Sequence, residues 1–303
     1  MKNPILLFIS CLLLWGNAFA QVQLITVKPE QNADRSITLY AESIAYADYT
    51  VRLGLTINGF SSTPPRIVTV GKGRTQLTKL VPDRNNNTPA YSYQIRYFAG
   101  VAFRKKPDTT IQYLLPGTEG NMVRVTRVDA IAKTIGTKTP DNYFGTGFMF
   151  QLEDTICATR AGTVYETYDG AVEGEKNNQL FNSNRNKISI EHKDGSLSHY
   201  SLLAPIKLLV SDGDYVVPGQ PLAIFNKESD KYMLLYSVNY LDEKSLIPDM
   251  PPVNNLYYKY LAPVFFVGND VTMDLEKSYT ITYSKEVIGQ ELSKKDKKKL
   301  GIQ

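Results

Sequence analysis

Two histidines, one cysteine and a few carboxylates are the side chains beyond residue 20 that could do chemistry. His192 and His199 stand seven residues apart, on either side of an Asp194-Gly195 turn. A catalytic zinc takes three protein ligands from neutral imidazole, thiolate or carboxylate and keeps a fourth position open for water. The two histidines could face each other across the turn, with Glu191 or Asp194 adding an oxygen. Strand periodicity weighs against this, because Glu191 points to the opposite face from His192. His192 reads instead as a solvent-facing residue beside a turn. Cys157 with a histidine could form a nucleophile and its base. It sits in the apolar alternation Ile156-Cys157-Ala158, the setting of a buried, inert thiol. Glu153, Asp154, Asp212 and Asp214 read as turn residues. There is no Gly-x-Ser-x-Gly, no phosphate-binding loop and no His-Glu-x-x-His. No catalytic residue and no metal ligand is assigned.

The elements that would position these groups are short strands. Residues 22–117 alternate with period two in Ser36-Ile37-Thr38-Leu39-Tyr40-Ala41, Tyr49-Thr50-Val51-Arg52-Leu53 and Tyr91-Ser92-Tyr93-Gln94-Ile95-Arg96-Tyr97. Turn clusters lie between them at Asn58-Gly59, 61–65, Gly71-Lys72-Gly73 and 83–89. About seven strands at this spacing predict an immunoglobulin-like sandwich. The tyrosine alternation is expected to be one wall of its core. Arg104-Lys105-Lys106-Pro107 reads as an exposed loop, and Tyr113-Leu114-Leu115-Pro116-Gly117 as a hinge. Further strands are expected at 121–132, 162–166, 187–192, 197–203, 215–217, 222–225 and 232–239, with loops at 134–142 and 169–186. After a last strand at 279–283, Ser293-Lys294-Lys295-Asp296 resembles a capping box and starts a basic helical turn. That tail is expected to be solvated and frayed.

Composition narrows the class. The 303 residues carry a formal charge of +4 and 20 tyrosines against one tryptophan. So small and diffuse a charge does not point to nucleic acid, and tyrosine suits half-buried β surfaces. Lys2, the apolar run 5–15 and Ala18-Phe19-Ala20 read as a secretory signal peptide over residues 1–20. Phe8-Ile9-Ser10-Cys11 would make a poor lipoprotein box, so cleavage after Ala20 is the reading taken. No later stretch is long and apolar enough to span a bilayer. Without Cys11, Cys157 has no intrachain partner for a disulfide.

Three motifs carry a resemblance. They are Glu153-Asp154-Thr155-Ile156-Cys157-Ala158-Thr159-Arg160-Ala161-Gly162-Thr163-Val164; Asn186-Lys187-Ile188-Ser189-Ile190-Glu191-His192 with Tyr200-Ser201-Leu202-Leu203; and Val210-Ser211-Asp212-Gly213-Asp214-Tyr215-Val216-Val217-Pro218-Gly219-Gln220. Together the segment resembles the lysostaphin/LytM-type zinc metallopeptidases, which cut peptidoglycan cross-bridges. The resemblance implies an antiparallel β core, and secreted members of the family also carry an upstream sandwich. It further implies a zinc held by a His and an Asp of one motif and a second His of a His-x-His motif, with other histidines assisting. Here those positions fall on Tyr143 and Gly147, on Leu202 in the Tyr-x-His-Leu motif, and on Met233 and Leu235. None of these residues is a His, Cys or carboxylate of the kind such a zinc site uses.

The expectation is therefore an all-β chain: signal peptide 1–20, immunoglobulin-like sandwich 21–117, degenerate LytM-like domain 118–268, and a strand with a short basic helical tail at 269–303. Tyr143, Gly147, Leu202, Met233 and Leu235 are expected to line a vestigial, apolar groove. No cofactor is expected; zinc enters only in the alternative of an active endopeptidase whose ligands include His192 and His199. The resemblance implies peptidoglycan or a wall hydrolase as partner, in the periplasm or cell envelope. A purely structural envelope protein is the third reading.

Overall fold

The computed structural model describes residues 23–83, 88–102, 107–128, 143–151, 153–170, 186–204, 206–226, 232–246, 257–268 and 273–302. The signal peptide read at 1–20, the loops expected at 134–142 and over most of 169–186, and the basic run 104–106 lie outside them. Nearly everything described is strand and turn. Its three short helices are α1 (Glu243–Leu246), α2 (Lys285–Gly289) and α3 (Lys294–Lys299).

Alternating β-branched and aromatic residues build the first lobe. β1 (Ile25–Gln31), β2 (Ile37–Ser43) and β5 (Gly73–Leu80) form one antiparallel sheet in the order β1-β2-β5. β4 (Ile67–Val70), β3 (Tyr49–Asn58) and β6 (Ala90–Ala99) form the other in the order β4-β3-β6. These orders match strands A-B-E and C′-C-F of an immunoglobulin-type sandwich. Among the described residues the lobe has six strands rather than about seven. Ile25, Leu39, Val51, Leu53, Val70 and Leu77 fill the space between the sheets, and Tyr91, Tyr93 and Tyr97 pack against them. The tyrosine alternation is a core wall.

The chain leaves this lobe earlier than expected. Gly100, at a φ of +91°, turns it out of β6. Ala102 is already buried with Leu241, Leu246 and Tyr257. The hinge expected at 113–117 is corrected: Tyr113, Leu114 and Leu115 are buried. β7 (Gln112–Tyr113) pairs in parallel with β19 (Val264–Phe265). An apolar run ahead of Pro-Gly looked like a linker, but here it threads the second core. A Cβ on Gly117 would stand 2.6 Å from Ile281 Cδ1.

The second lobe is a nine-stranded sheet packed on a small one. The large sheet runs β15 (Tyr215–Val216), β11 (Gly162–Tyr168), β12 (Asn186–Glu191), β13 (Leu197–Leu202), β17 (Tyr232–Leu241), β9 (Thr146–Phe150), β8 (Met122–Arg127) and β20 (Ser278–Thr280), with β18 (Tyr258–Leu261) also on β17. The small sheet is β10 (Thr155–Cys157), β16 (Pro221–Phe225) and β14 (Ile206–Leu208), in the order β10-β16-β14. Phe148, Ile156, Val164, Ile188, Tyr200 and Leu222 are among the residues packed between them.

The C-terminal segment is part of this lobe and not a frayed tail. β20 is a strand of the large sheet. Ser293 caps α3 by accepting from the Asp296 N–H at 3.2 Å, as the capping-box pattern implied. Leu292 and Ile302 are buried against Ala161. The lobes also touch directly. The Asp48 N–H donates to Glu191 Oε2 at 3.2 Å, and the Tyr258 hydroxyl donates to the Ala99 carbonyl at 3.1 Å.

Candidate functional site

Register decides which side chains share a face. Gly147 lies opposite Leu235 on β9 and β17, and Met149 lies opposite Met233. Successive residues of a strand point to opposite faces. Met233, Leu235, Ser237 and Asn239 thus line the outer face of the large sheet, while Leu234, Tyr236 and Val238 enter the core. Leu235 packs with Val128, and Tyr143, Leu203 and Met233 close around them. The Tyr143 ring stands 4.8 Å from that of Tyr260. Four of the five expected groove positions, Tyr143, Gly147, Met233 and Leu235, therefore meet on one apolar patch.

Leu202 does not join them. It pairs with Leu234 and is buried in the main core. The residue that closes the patch from this strand is its neighbour Leu203, whose N–H donates to the Met233 carbonyl at 3.0 Å. A one-residue step along a strand exchanges the two faces, so matching a motif by position alone misplaced the side chain.

His192 is buried, not solvent-facing as expected, and only 1% of it is exposed. Its Nδ1 lies 2.7 Å from the Ala161 carbonyl. That oxygen can only accept, so Nδ1 carries the proton and Nε2 accepts from Ser198 Oγ at 2.5 Å. The chain of hydroxyls continues from Ser198 to Tyr236 at 2.7 Å. It then runs to Thr159 at 2.8 Å and to Tyr200 at 2.8 Å. Burial, reinforced by the Arg160 charge, pushes the His192 pKa well below its ordinary value. A neutral imidazole beside a serine has the form of a base and nucleophile. Ser198 is fully buried, however, so no substrate reaches it and the network is structural.

Next to it lies an ion cluster that the sequence did not announce. The Arg160 guanidinium donates to Glu291 through Nε and Nη2, to Tyr113 and to Ser196. Asp194 Oδ2 stands 3.1 Å from Nη2. The only hint was a lone Arg in an apolar motif, with acidic partners far along the chain.

The second histidine faces outward. His199 lies opposite Ser189 and Ser237 on neighbouring strands, so it shares the outer face with Leu235 and Asn239. Its Nδ1 is 3.2 Å from Ser189 Oγ. Burial lowers its pKa. Among the described residues no three His, Cys, Asp or Glu side chains stand together as a metal site.

Cys157 is buried as expected, and burial raises its thiol pKa. Asp214 caps its own turn, accepting from the Ser211 N–H at 2.8 Å. Asp154, read as a turn residue, is buried, and its Oδ1 accepts from the Thr155 N–H at 2.7 Å.

Comparison with known proteins adds little. No protein-family model matches the chain, and no curated protein matches it. Among solved structures it is similar to Csd3 of Helicobacter pylori, at 11% identity and a TM-score of 0.29, over 75% of this chain and 50% of that one. The chain thus spans about half the length of that structure. Among the described residues no helix is long and apolar enough to cross a membrane.

Proposed function

We propose that this chain is a non-catalytic binding module of the bacterial cell envelope. A degenerate LytM-like β domain would hold peptidoglycan, or a wall hydrolase that it regulates, on the outer face of the large sheet. One observation carries the reading. Where the resembled peptidases bear His and Asp, this face bears Tyr143, Gly147, Met233 and Leu235, packed with Val128 and Leu203. An apolar floor keeps a shape for binding but has no group to activate water. The signal peptide read at 1–20 supports export.

Co-sedimentation of residues 21–303 with purified sacculi, together with metal analysis of the same preparation, tests this. Retention at moderate salt, weakened by Met233→Asp, is the expected result. Stoichiometric zinc, lost to a chelator together with wall-cleaving activity, overturns the non-catalytic reading. Absence of retention, with no hydrolase captured, overturns binding.

A further inference from the structure

Between the lobes lies a cavity of about 480 Å³, within the rough range of 300–1,000 Å³ for small-molecule sites. Its first-lobe wall includes Tyr49 and Ala99. Its second-lobe wall is the outer sheet face beyond the apolar patch, with Tyr165, Glu166, His199, Asn239 and Tyr258, and Asp212 from the turn before β15. Among the described residues no lysine or arginine lines it.

Its chemistry is one-sided, because most of its polar groups accept hydrogen bonds. Asn239 is 6% exposed, and its Oδ1 is buried with no hydrogen bond. Tyr260 and His199 both interact with the same side chain, but among the described residues no donor meets Oδ1 within hydrogen-bond geometry. A buried acceptor left open in this way costs stability unless a donor arrives. The two carboxylates are only partly engaged. Glu166 takes Lys187 at 2.5 Å, and Asp212 accepts from Thr167 Oγ1 at 2.8 Å. Among the described residues, Glu166 and Asp212 with Lys187 counted leave the cavity's surroundings net negative. Tyr49 registers that field: burial first, then Glu166, Tyr97, Glu191 and Asp212, push its phenol up to about 12. Three tyrosine rings in the wall add faces that attract cations.

We propose that this interlobe cavity binds a small organic cation with N–H donors, of the primary alkylammonium class. Its charge turns to Glu166, Asp212 and the Asn239 carbonyl, and its alkyl chain lies against Tyr49, Tyr165 and Tyr258. Nothing in this depends on contact with the cell wall.

The two histidines are natural reporters, because His199 lines the cavity and His192, only 1% exposed and held in its own hydrogen-bond network, does not. Histidine ring signals of residues 21–303 are followed by NMR during titration with n-butylammonium chloride, with sodium chloride holding ionic strength constant. The His199 signals shift saturably and those of His192 do not. n-Butanol, which lacks the charge, binds about tenfold or more weakly, as expected for loss of a charge-assisted hydrogen bond. Asp212→Asn and Glu166→Gln each weaken the ammonium by a similar factor, with unchanged His192 signals certifying the fold. A His199 signal that does not move overturns the proposal. So does n-butanol binding as tightly as the amine, or Asp212→Asn and Glu166→Gln both leaving the affinity unchanged.

Discussion

Glu291 grips Arg160 with both carboxylate oxygens, Oε2 at 2.6 Å from Nε and Oε1 at 2.7 Å from Nη2. The guanidinium is almost wholly enclosed, and its partner is 131 residues further along the chain. Removing one member of a buried ion pair leaves the other uncompensated and costs roughly 3–5 kcal/mol. Glu291→Ala should lose about that much in urea unfolding. Asp194 remains as a second carboxylate, which favours the lower end. Arg160→Leu with Glu291→Leu should cost less than Glu291→Ala alone, because the enclosed cation is then gone and only the more exposed Asp194 carboxylate loses its partner.

Acid should destabilise the protein from near neutrality. Burial holds both histidines below their ordinary pKa. The unfolded chain takes up protons near pH 6.5 that the folded chain refuses. Stability is therefore full above about pH 7 and falls as the pH drops below about 6.5, by about 1.4 kcal/mol per pH unit for each histidine until its folded pKa is reached. Burial would raise the Asp194 carboxyl, but Arg160 and Ser196 outweigh it and hold it low. Its contribution is present above about pH 4 and fades at lower pH. Urea midpoints at pH 7.5 and 5.5 decide the matter: equal midpoints would contradict the buried, neutral imidazoles.

Gly162→Ala should be poorly tolerated although its backbone is ordinary strand. A Cβ there would lie 2.4 Å from the Glu191 carbonyl oxygen and 2.6 Å from Ile190 Cγ2. The β11–β12 pairing must move, which overpacking data put at about 1–3 kcal/mol or more. Thermal unfolding of the purified variant measures it. A wild-type midpoint would mean that the two strands are not so closely apposed.

Donors placed on the apolar patch should create a metal site. Gly147 lies opposite Leu235, and Tyr143 packs against Leu235. The triple variant Tyr143→His, Gly147→Asp, Leu235→His is expected to take up roughly one zinc per chain, three ligands being enough for an open site. The parent takes up none at these positions. Failure of the folded triple variant to bind would show that the three positions do not converge.

Ser198→Ala removes the hydroxyl between His192 Nε2 and Tyr236. Two buried polar groups lose a partner, at a cost of about 1–3 kcal/mol. Hydrogen exchange of the β12 and β13 amides would report it. Unchanged protection would show that the hydroxyl chain holds nothing together.

Local signals were well represented in the sequence. Period-two alternation placed β2, β3 and β6, and Asn58-Gly59, Asp194-Gly195 and Asp212-Gly213 marked real turns whose glycines take positive φ. Ser293 announced its cap. What the sequence hid was long-range. His192 looked exposed because the groups that allow its burial, Ala161 and Ser198, are invisible beside a turn. Arg160 carried no sign of Glu291. Leu202 was assigned by motif position, whereas the Leu202–Leu234 pairing fixes which way it points. The interlobe wall of Tyr165, His199 and Asn239 comes from three strands, and no spacing within one of them reveals it.

The pairing of β20 with β8 gives the second lobe a built-in order of assembly. A polypeptide emerging in N-to-C direction cannot close that sheet, or complete the ion cluster around Arg160, until residues 278–291 have been made. Prematurely terminated chains would therefore expose an unpaired β8 edge and an Arg160 left with Asp194 alone, marks by which quality-control proteases could separate them from finished molecules.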